Sequence, residues 1–205
     1  MSPTRSAAHL PLAAAILAAG ESRRMGTPKA LLPYRGKNFA EHLLEVTNHP
    51  RVGVKRIVVG AHAEEISSNV RSGNAEIVVN EEWERGQLSS IQAAVRSLPT
   101  GETSGLLLCP VDHPLVSATL VAQLIEEFDS NGKLIVLPTY GGKRGHPLIF
   151  AEVLYQEILA ASPEVGARQV VWAHAADVLE VPTDEEGVIL NLNDPATLKR
   201  AMEAP

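Results

Sequence analysis

The sequence is poor in cysteine and in aromatic residues: Cys109 is its one thiol, and Phe, Tyr and Trp together make up 4% of 205 residues. A single cysteine excludes an intrachain disulfide and suits a reducing compartment, so a cytoplasmic location is expected. With so few rings among 45% hydrophobic residues, the core must be built from Ala, Val, Leu and Ile, the palette of parallel strands covered by helices. Basic excess is also missing. A formal net charge of -6 argues against a nucleic-acid binder, which needs a basic face to neutralise backbone phosphates. A small anionic ligand needs only a local cluster of donors. No apolar run is long enough for a bilayer, which takes about 20 residues. Leu10 to Ala19, behind Arg5, only superficially resembles the core of a signal peptide. No membrane association is expected.

What is present is an ordinary soluble composition, 20% charged, at a length that suits one domain. Residues 1–11 are expected to form a flexible N-terminal extension and residues 12–205 one domain. Buried-strand patterns fall at 13–17, 55–60, 76–79, 105–111, 134–138, 147–150 and 178–181. Helical spacing falls at 39–48, 64–71, 88–98, 117–129 with Ser117 as N-cap, 152–160 and 166–173, with a last helix from about Pro195. Such alternation predicts an α/β fold with a mostly parallel sheet and right-handed crossovers. Ligands then sit at the carboxyl ends of the strands, which singles out the loops after the first, fourth and sixth strands.

The first of these loops reads LAAGESRRMGTPKALLP. Gly20 and Gly26 bracket Arg23 and Arg24, with Lys29 close behind. Glycines let backbone N–H groups approach a polyphosphate, Arg offers a flat fork of donors, and Lys a mobile point charge. The loop is neither a dinucleotide fingerprint nor a Walker motif. Its LAAG-x-S-x-RMG-x-x-K string resembles the signature loop of the sugar-nucleotide pyrophosphorylase and molybdenum cofactor nucleotidyltransferase superfamily. The resemblance implies a Rossmann-like three-layer α/β/α sandwich. It also implies that Leu17, Ala18, Ala19 and Gly20 line the base and ribose, that Arg24 reaches the phosphates, and that Lys29 holds the α-phosphate and the leaving pyrophosphate. Arg23 matches less well than Arg24.

Asp112 ends the apolar run from Gly105 to Val111 and precedes His113-Pro114, so its carboxylate should project from a strand end. Magnesium takes one or two carboxylates plus substrate phosphate oxygens, and strand-D-x-P resembles the superfamily's metal-binding element. Near the C-terminus, LNLNDPATL resembles its second metal element: Asn193 matches the contact position, Asn191 stays open as an alternative, and Asp194 departs from the usual Thr. The expected cofactor is Mg²⁺, with Mn²⁺ as an alternative, and the expected catalytic set is Arg24, Lys29 and Asp112.

The segment NEEWERGQLSSIQAAV resembles a cytidylyltransferase base-recognition segment, which would make Asn80, Gly86 and Ser90 nucleotide contacts. Gly141 to Pro147 (GGKRGHP) resembles the G-x-x-GHP loop of molybdenum cofactor cytidylyltransferases, placing Gly145 and His146 at the acceptor. LAAG in place of LAGG favours CTP over GTP. The resemblance thus implies transfer of CMP from CTP to the phosphate of a pterin-type cofactor with release of pyrophosphate. A molybdoenzyme of the xanthine oxidase type would be the downstream partner. Two other readings are open: a transferase using another NTP or acceptor, and a non-catalytic protein that delivers the cofactor.

Overall fold

In the computed structural model, which describes residues 10–203, the chain winds around strand β1 (Leu12–Ala18), in which every residue is buried. Residues 1–9 of the expected N-terminal extension lie outside the described residues. Successive side chains of β1 feed two cores. Leu12, Ala14, Ile16 and Ala18 face one layer of helices, and Ala13, Ala15 and Leu17 the other. Burial on both faces is why this strand reads as an uninterrupted apolar run with no alternation.

Chain order continues through a short hairpin of β2 (Pro33–Tyr34) and β3 (Lys37–Asn38), then α1 (Phe39–Val46), β4 (Val52–Val59), α2 (Ala63–Asn69), β5 (Glu76–Val79), α3 (Gln87–Arg96) and β6 (Gly105–Pro110). It closes with α4 (Ala118–Asn131), β7 (Ile135–Tyr140), β8 (Lys143–Arg144), β9 (Leu148–Ala151), α5 (Tyr155–Ala160), α6 (Arg168–Ala173), β10 (Val178–Pro182) and α7 (Pro195–Glu203). The main sheet runs β10-β7-β9-β6-β1-β4-β5, with β8 on the end of β7. Helices α1, α2, α4 and α7 cover one face, and α3, α5 and α6 the other. This is the expected three-layer sandwich. Full burial of a side chain such as Phe39, Leu43 or Leu124 stabilises it by roughly 1.5–3 kcal/mol.

Helix starts follow local chemistry. Asn38 accepts from the Glu41 amide at 2.8 Å while Glu41 reaches back, a reciprocal capping box on α1. Glu41 also takes the guanidinium of Arg71 at 3.0 and 3.1 Å. That pairing holds its carboxyl down at about 2. Ser117 caps α4 as expected, accepting from Leu120 N at 3.0 Å.

Within the main sheet β4, β6, β5 and β10 pair in parallel with their neighbours β1, β1, β4 and β7, but β9 is antiparallel to both β6 and β7, as β8 is to β7. Its register sets Leu148 beside Leu108 and Ala151 beside Gly105. The loop following this sixth buried strand therefore lies at the wrong end of the sheet for a ligand. The loop before it, which carries Gly145 and His146, reaches the carboxyl ends instead. Strand polarity is a long-range property, and periodicity carries no sign of direction. The crossover that matters is at β1: the chain first adds β4 on one side and later returns to β6 on the other. The ends of β1 and β6 form the topological switch point where α/β sheets open a crevice.

Candidate active site

The chain leaves β1 through Ala19 and the exposed Gly20. Ser22 (φ 56°) and Gly26 (φ 68°) both take the left-handed conformation around a 3-10 turn at Arg23–Met25. Ser22 closes the turn at both levels: its carbonyl accepts from Met25 N at 2.8 Å and its hydroxyl from Lys29 N at 3.0 Å. Arg23 is spent on Glu21 at 2.6 Å. Arg24 is exposed, with no side-chain hydrogen bond or ion pair among the described residues. Of the two arginines, Arg24 is the one available to an incoming anion.

The folded-back loop delivers Lys29 across the switch point. Its ammonium donates to Asn193 Oδ1 at 2.5 Å and to Asp112 Oδ2 at 3.4 Å, a contact that joins residues 83 and 164 positions apart. Asp112 is positioned by β6, whose ladder to β1 is prolonged by Val111 N donating to Leu17 O at 3.1 Å. The C-terminal segment is fastened to the same place, because Leu192 N donates to Asp112 O at 2.9 Å. Asp194 accepts from the Thr197 amide at 2.9 Å and its hydroxyl at 3.0 Å at the start of α7. It therefore does the capping, which leaves the Asn193 amide free to face Lys29. Asn191 lies instead beside the His113 imidazole.

Asp112 and Asn193 thus converge on one cation, the Lys29 ammonium, with two hard oxygen donors. Among the described residues no cluster of three or more His, Cys, Asp or Glu could hold a metal. Two protein oxygens completed by phosphate oxygens and water is the usual provision for Mg²⁺ or Mn²⁺, so the residues fit such an ion.

Just beyond Asp112, His113 packs at a tilt against His146. The rings of His113 and His146 lie 4.9 Å apart. His113 Nδ1 faces Gly187 O at 3.4 Å and Nε2 lies 3.9 Å from Asp112 Oδ1. His146 is fixed through its backbone, N donating to Val188 O at 2.8 Å, while its Nδ1 is buried with no hydrogen-bond partner. Burial, reinforced by His113, pushes His146 down to about 4. Burial also lowers His113, with Asp112 opposing. Both rings are therefore neutral near pH 7. Gly145 is required by contact: a Cβ there would come 2.5 Å from Val188 O.

The residues expected at the base divide. Gly86 (φ 92°) is exposed at the start of α3 and lines a cavity that reaches Leu17 and Pro110. Asn80 and Ser90 are buried, and the Asn80 amide donates to Ser89 at 2.8 Å and Ser90 at 3.1 Å. Its carbonyl accepts from Glu82 N at 3.0 Å. They are tied to each other and shape the turn that presents Gly86. Cys109 is a core thiol, pushed up to about 12 by burial.

The MobA-like NTP transferase domain matches residues 14–178. The chain belongs to this family. Its nucleotidyltransferase signature loop, Asp112 and the strand ends that carry them all fall inside the matched span. Nicotine blue oxidoreductase of Paenarthrobacter nicotinovorans is 32% identical over 75% of the chain and 78% of that protein. Molybdenum cofactor guanylyltransferase of Shewanella sp. strain ANA-3 is 25% identical over 93% and 95%. Among solved structures, Rv0371c of Mycobacterium tuberculosis H37Rv superposes with TM-score 0.84 at 23% identity, covering 96% of this chain and all of that one. Its manganese complex gives TM-score 0.78 at 23% identity, with 95% and 100% covered.

Several residues of the cavity carry no sequence signal. Trp172, Arg168 and Arg85 line it, and the Gly187–Val188 backbone fastens both histidines.

Proposed function

We propose that this chain transfers the nucleoside monophosphate of an NTP, CTP foremost, to the phosphate of a molybdopterin-type cofactor and releases pyrophosphate. The observation that carries the reading is the convergence of Lys29, Asp112 and Asn193 at the β1–β6 switch point, directly beneath a glycine-bounded loop with a free Arg24.

The acceptor phosphate has a second pKa of about 6, so at neutral pH it is already a nucleophile and no general base is required. The oxygen attacks the α-phosphorus in line, and the leaving pyrophosphate departs on the opposite side. Catalysis of such a transfer is mainly positioning and charge neutralisation. Arg24 receives the triphosphate, and Lys29 bears on the α-phosphate and the departing charge. Leu17, Ala18, Ala19 and Gly20 border the ribose and base, and Gly86 presents backbone to the base edge. Asp112 and Asn193 would hold Mg²⁺, or Mn²⁺ as in the complex of the structural neighbour; the ion supplies further positive charge against the phosphates.

CTP is supported by Ala19. It stands where the LAGG start has glycine, and its methyl is buried against Gly60. GTP is the second reading, carried by the relatives named molybdenum cofactor guanylyltransferase. Gly145 and His146 border the acceptor, and a molybdoenzyme of the xanthine oxidase type would take up the product.

Pyrophosphate release from CTP, GTP, UTP and ATP, with Mg²⁺ or Mn²⁺ and with or without molybdopterin, tests the reading. Release confined to CTP plus molybdopterin supports it, and release confined to GTP replaces the donor. A redox conversion of nicotine blue without pyrophosphate release under any pairing would sink the transferase in favour of the chemistry that one relative's name describes.

A further inference from the structure

After β10 the chain crosses the carboxyl ends of the sheet as residues 183–194, with a 3-10 turn at Glu186–Val188, before α7 begins. This strap carries Asn193 to Lys29. A segment outside the sheet ladder is held only by what it meets, and the strap is fastened along its length. Thr183 N donates to Thr139 O at 2.9 Å, His146 N to Val188 O at 2.8 Å, and Leu192 N to Asp112 O at 2.9 Å. Val188 and Leu192 are fully buried, and a Cβ on Gly187 would come within 2.7 Å of Leu115 Cβ.

One fastening uses charge. In the run Asp184-Glu185-Glu186, Asp184 and Glu186 are exposed, while Glu185 is turned inward and half-buried. Both of its oxygens reach Ser117: the amide donates to Oε2 at 2.9 Å and the hydroxyl to Oε1 at 2.5 Å. The start of α4 suits a carboxylate, since the first amides of a helix lack intrahelical acceptors and carry the positive end of its dipole. Hydrogen bonds to an ionised acceptor are roughly twice as strong as neutral ones. Ser117 already caps α4 by accepting from Leu120 N, so the helix does not depend on Glu185 for its start. What Glu185 adds is a tie between the strap that bears Asn193 and the loop that runs from Asp112 into α4.

We propose that Glu185 is a positioning residue: by clasping Ser117 it fixes Asn193 relative to Asp112, so that both present their oxygens to a divalent cation carried on the nucleotide phosphates. Without the clasp, binding the cation must also order the strap, and that cost appears as lost affinity. The inference rests on the proposed transferase reading for the cation. The tie between strap and loop stands on the hydrogen bonds alone.

The test compares wild-type protein, Glu185→Ala, Asn193→Ala and the double variant by calorimetric titration with CTP and with GTP, each with Mn²⁺ and with metal removed by chelation. Amide hydrogen exchange at Leu192 follows the strap itself. Glu185→Ala should speed that exchange and lose about tenfold of the metal-dependent gain in nucleotide affinity, the low end for losing an outer partner of a metal ligand. Metal-free nucleotide binding should be unchanged. Because Glu185 acts through Asn193, its removal should have no further effect in the Asn193→Ala background. Glu41→Gln, which loses stability far from the site, should keep the full metal-dependent gain. An unchanged gain in folded Glu185→Ala overturns the proposal, as does a loss that persists in full in the Asn193→Ala background. If wild-type protein shows no metal-dependent gain with either nucleotide, the cation reading falls; faster Leu192 exchange in Glu185→Ala then upholds the tie, and equal exchange overturns it. Should Glu185→Ala not fold, Ser117→Ala removes the hydroxyl partner from the other side and is read by the same criteria, with a smaller expected loss.

Discussion

Two cavities of nearly equal size, among those lined by the described residues, lie at opposite ends of the sheet. One, of about 650 Å³, lies at the amino ends of the strands and is lined by Arg51, Asp129, Thr100 and Tyr155 among others. The second, of about 630 Å³, lies at the carboxyl ends, where Leu17, Pro110 and His146 line it. In the first, Arg51 bridges both oxygens of Asp129 at 2.7 Å, Tyr155 meets Thr103 at 3.2 Å, and no buried side-chain nitrogen or oxygen among the described residues lacks a partner. The second keeps a buried nitrogen without a partner, His146 Nδ1, and an exposed tryptophan. Volume does not distinguish a site; unspent chemistry does. Its placement has a physical origin, because adjacent crossovers in opposite directions part the loops only at the carboxyl ends of β1 and β6.

That contrast can be broken most forcefully at Lys29 and Asp112. Lys29→Ala and Asp112→Ala should each lower kcat/KM by about a hundred- to a thousand-fold, the scale of losing one preorganised charge at a developing anion, with the fold retained by circular dichroism. Full activity in either variant would remove the site assignment. Lys29→Met should also tighten Mn²⁺ binding measured without nucleotide by electron paramagnetic resonance. In the native chain the ammonium already neutralises the oxygens that would receive the ion.

Gly145→Ala is the next largest effect. Its methyl would meet the Val188 carbonyl, and overpacking of this kind costs about 1–3 kcal/mol, readable as a lower urea midpoint. A midpoint at or above the wild-type value would mean that the 183–193 segment gives way freely and does not hold His146 in place.

Glu41 lies away from both cavities and sharpens the comparison through pH. Because Arg71 and the helix amides hold its carboxyl well below the ordinary 4.5, at about 2, its contribution to stability is fully present above about pH 4.5. That contribution is lost as pH falls toward 2. In Glu41→Gln the stability profile over that window should be flatter, with catalysis at pH 7 unchanged. An identical acid limb in both proteins would mean the pair carries no stability.

The smallest effect is expected at the amino-end cavity. Tyr155→Phe removes one hydroxyl contact, worth about 1 kcal/mol, and should leave pyrophosphate release untouched. A loss of turnover there would erase the distinction between the two ends.

Much of this arrangement was legible from residue order. The strands at 13–17, 105–111 and 134–138 announced themselves as unbroken apolar runs, since both their faces are covered. Ser117 read as a cap because capping is decided within four residues. The LAAG loop, Asp112 and Asn193 could each be picked out, but nothing in their spacing showed that Lys29 would lie between the other two. The β2–β3 hairpin escaped because its strands are two residues each, too short for a period. The ties of Asn80 to Ser89 and Ser90 were not legible either, because whether a polar side chain faces a cleft or its own turn depends on the backbone of both partners.

Sequence alone therefore determined the alternation of strands and helices, the division of β1 between two cores, and the chemical kind of each loop, all of which depend on a few neighbouring residues. Only the tertiary structure decided that β9 runs backwards, which brings Gly145 and His146 to the carboxyl ends. It also decided that Asn193 meets Lys29, and that Trp172 stands over a cavity near the same strand ends. Each of these depends on contacts between segments tens to more than a hundred residues apart. A linear pattern holds no record of which distant partner a group will meet.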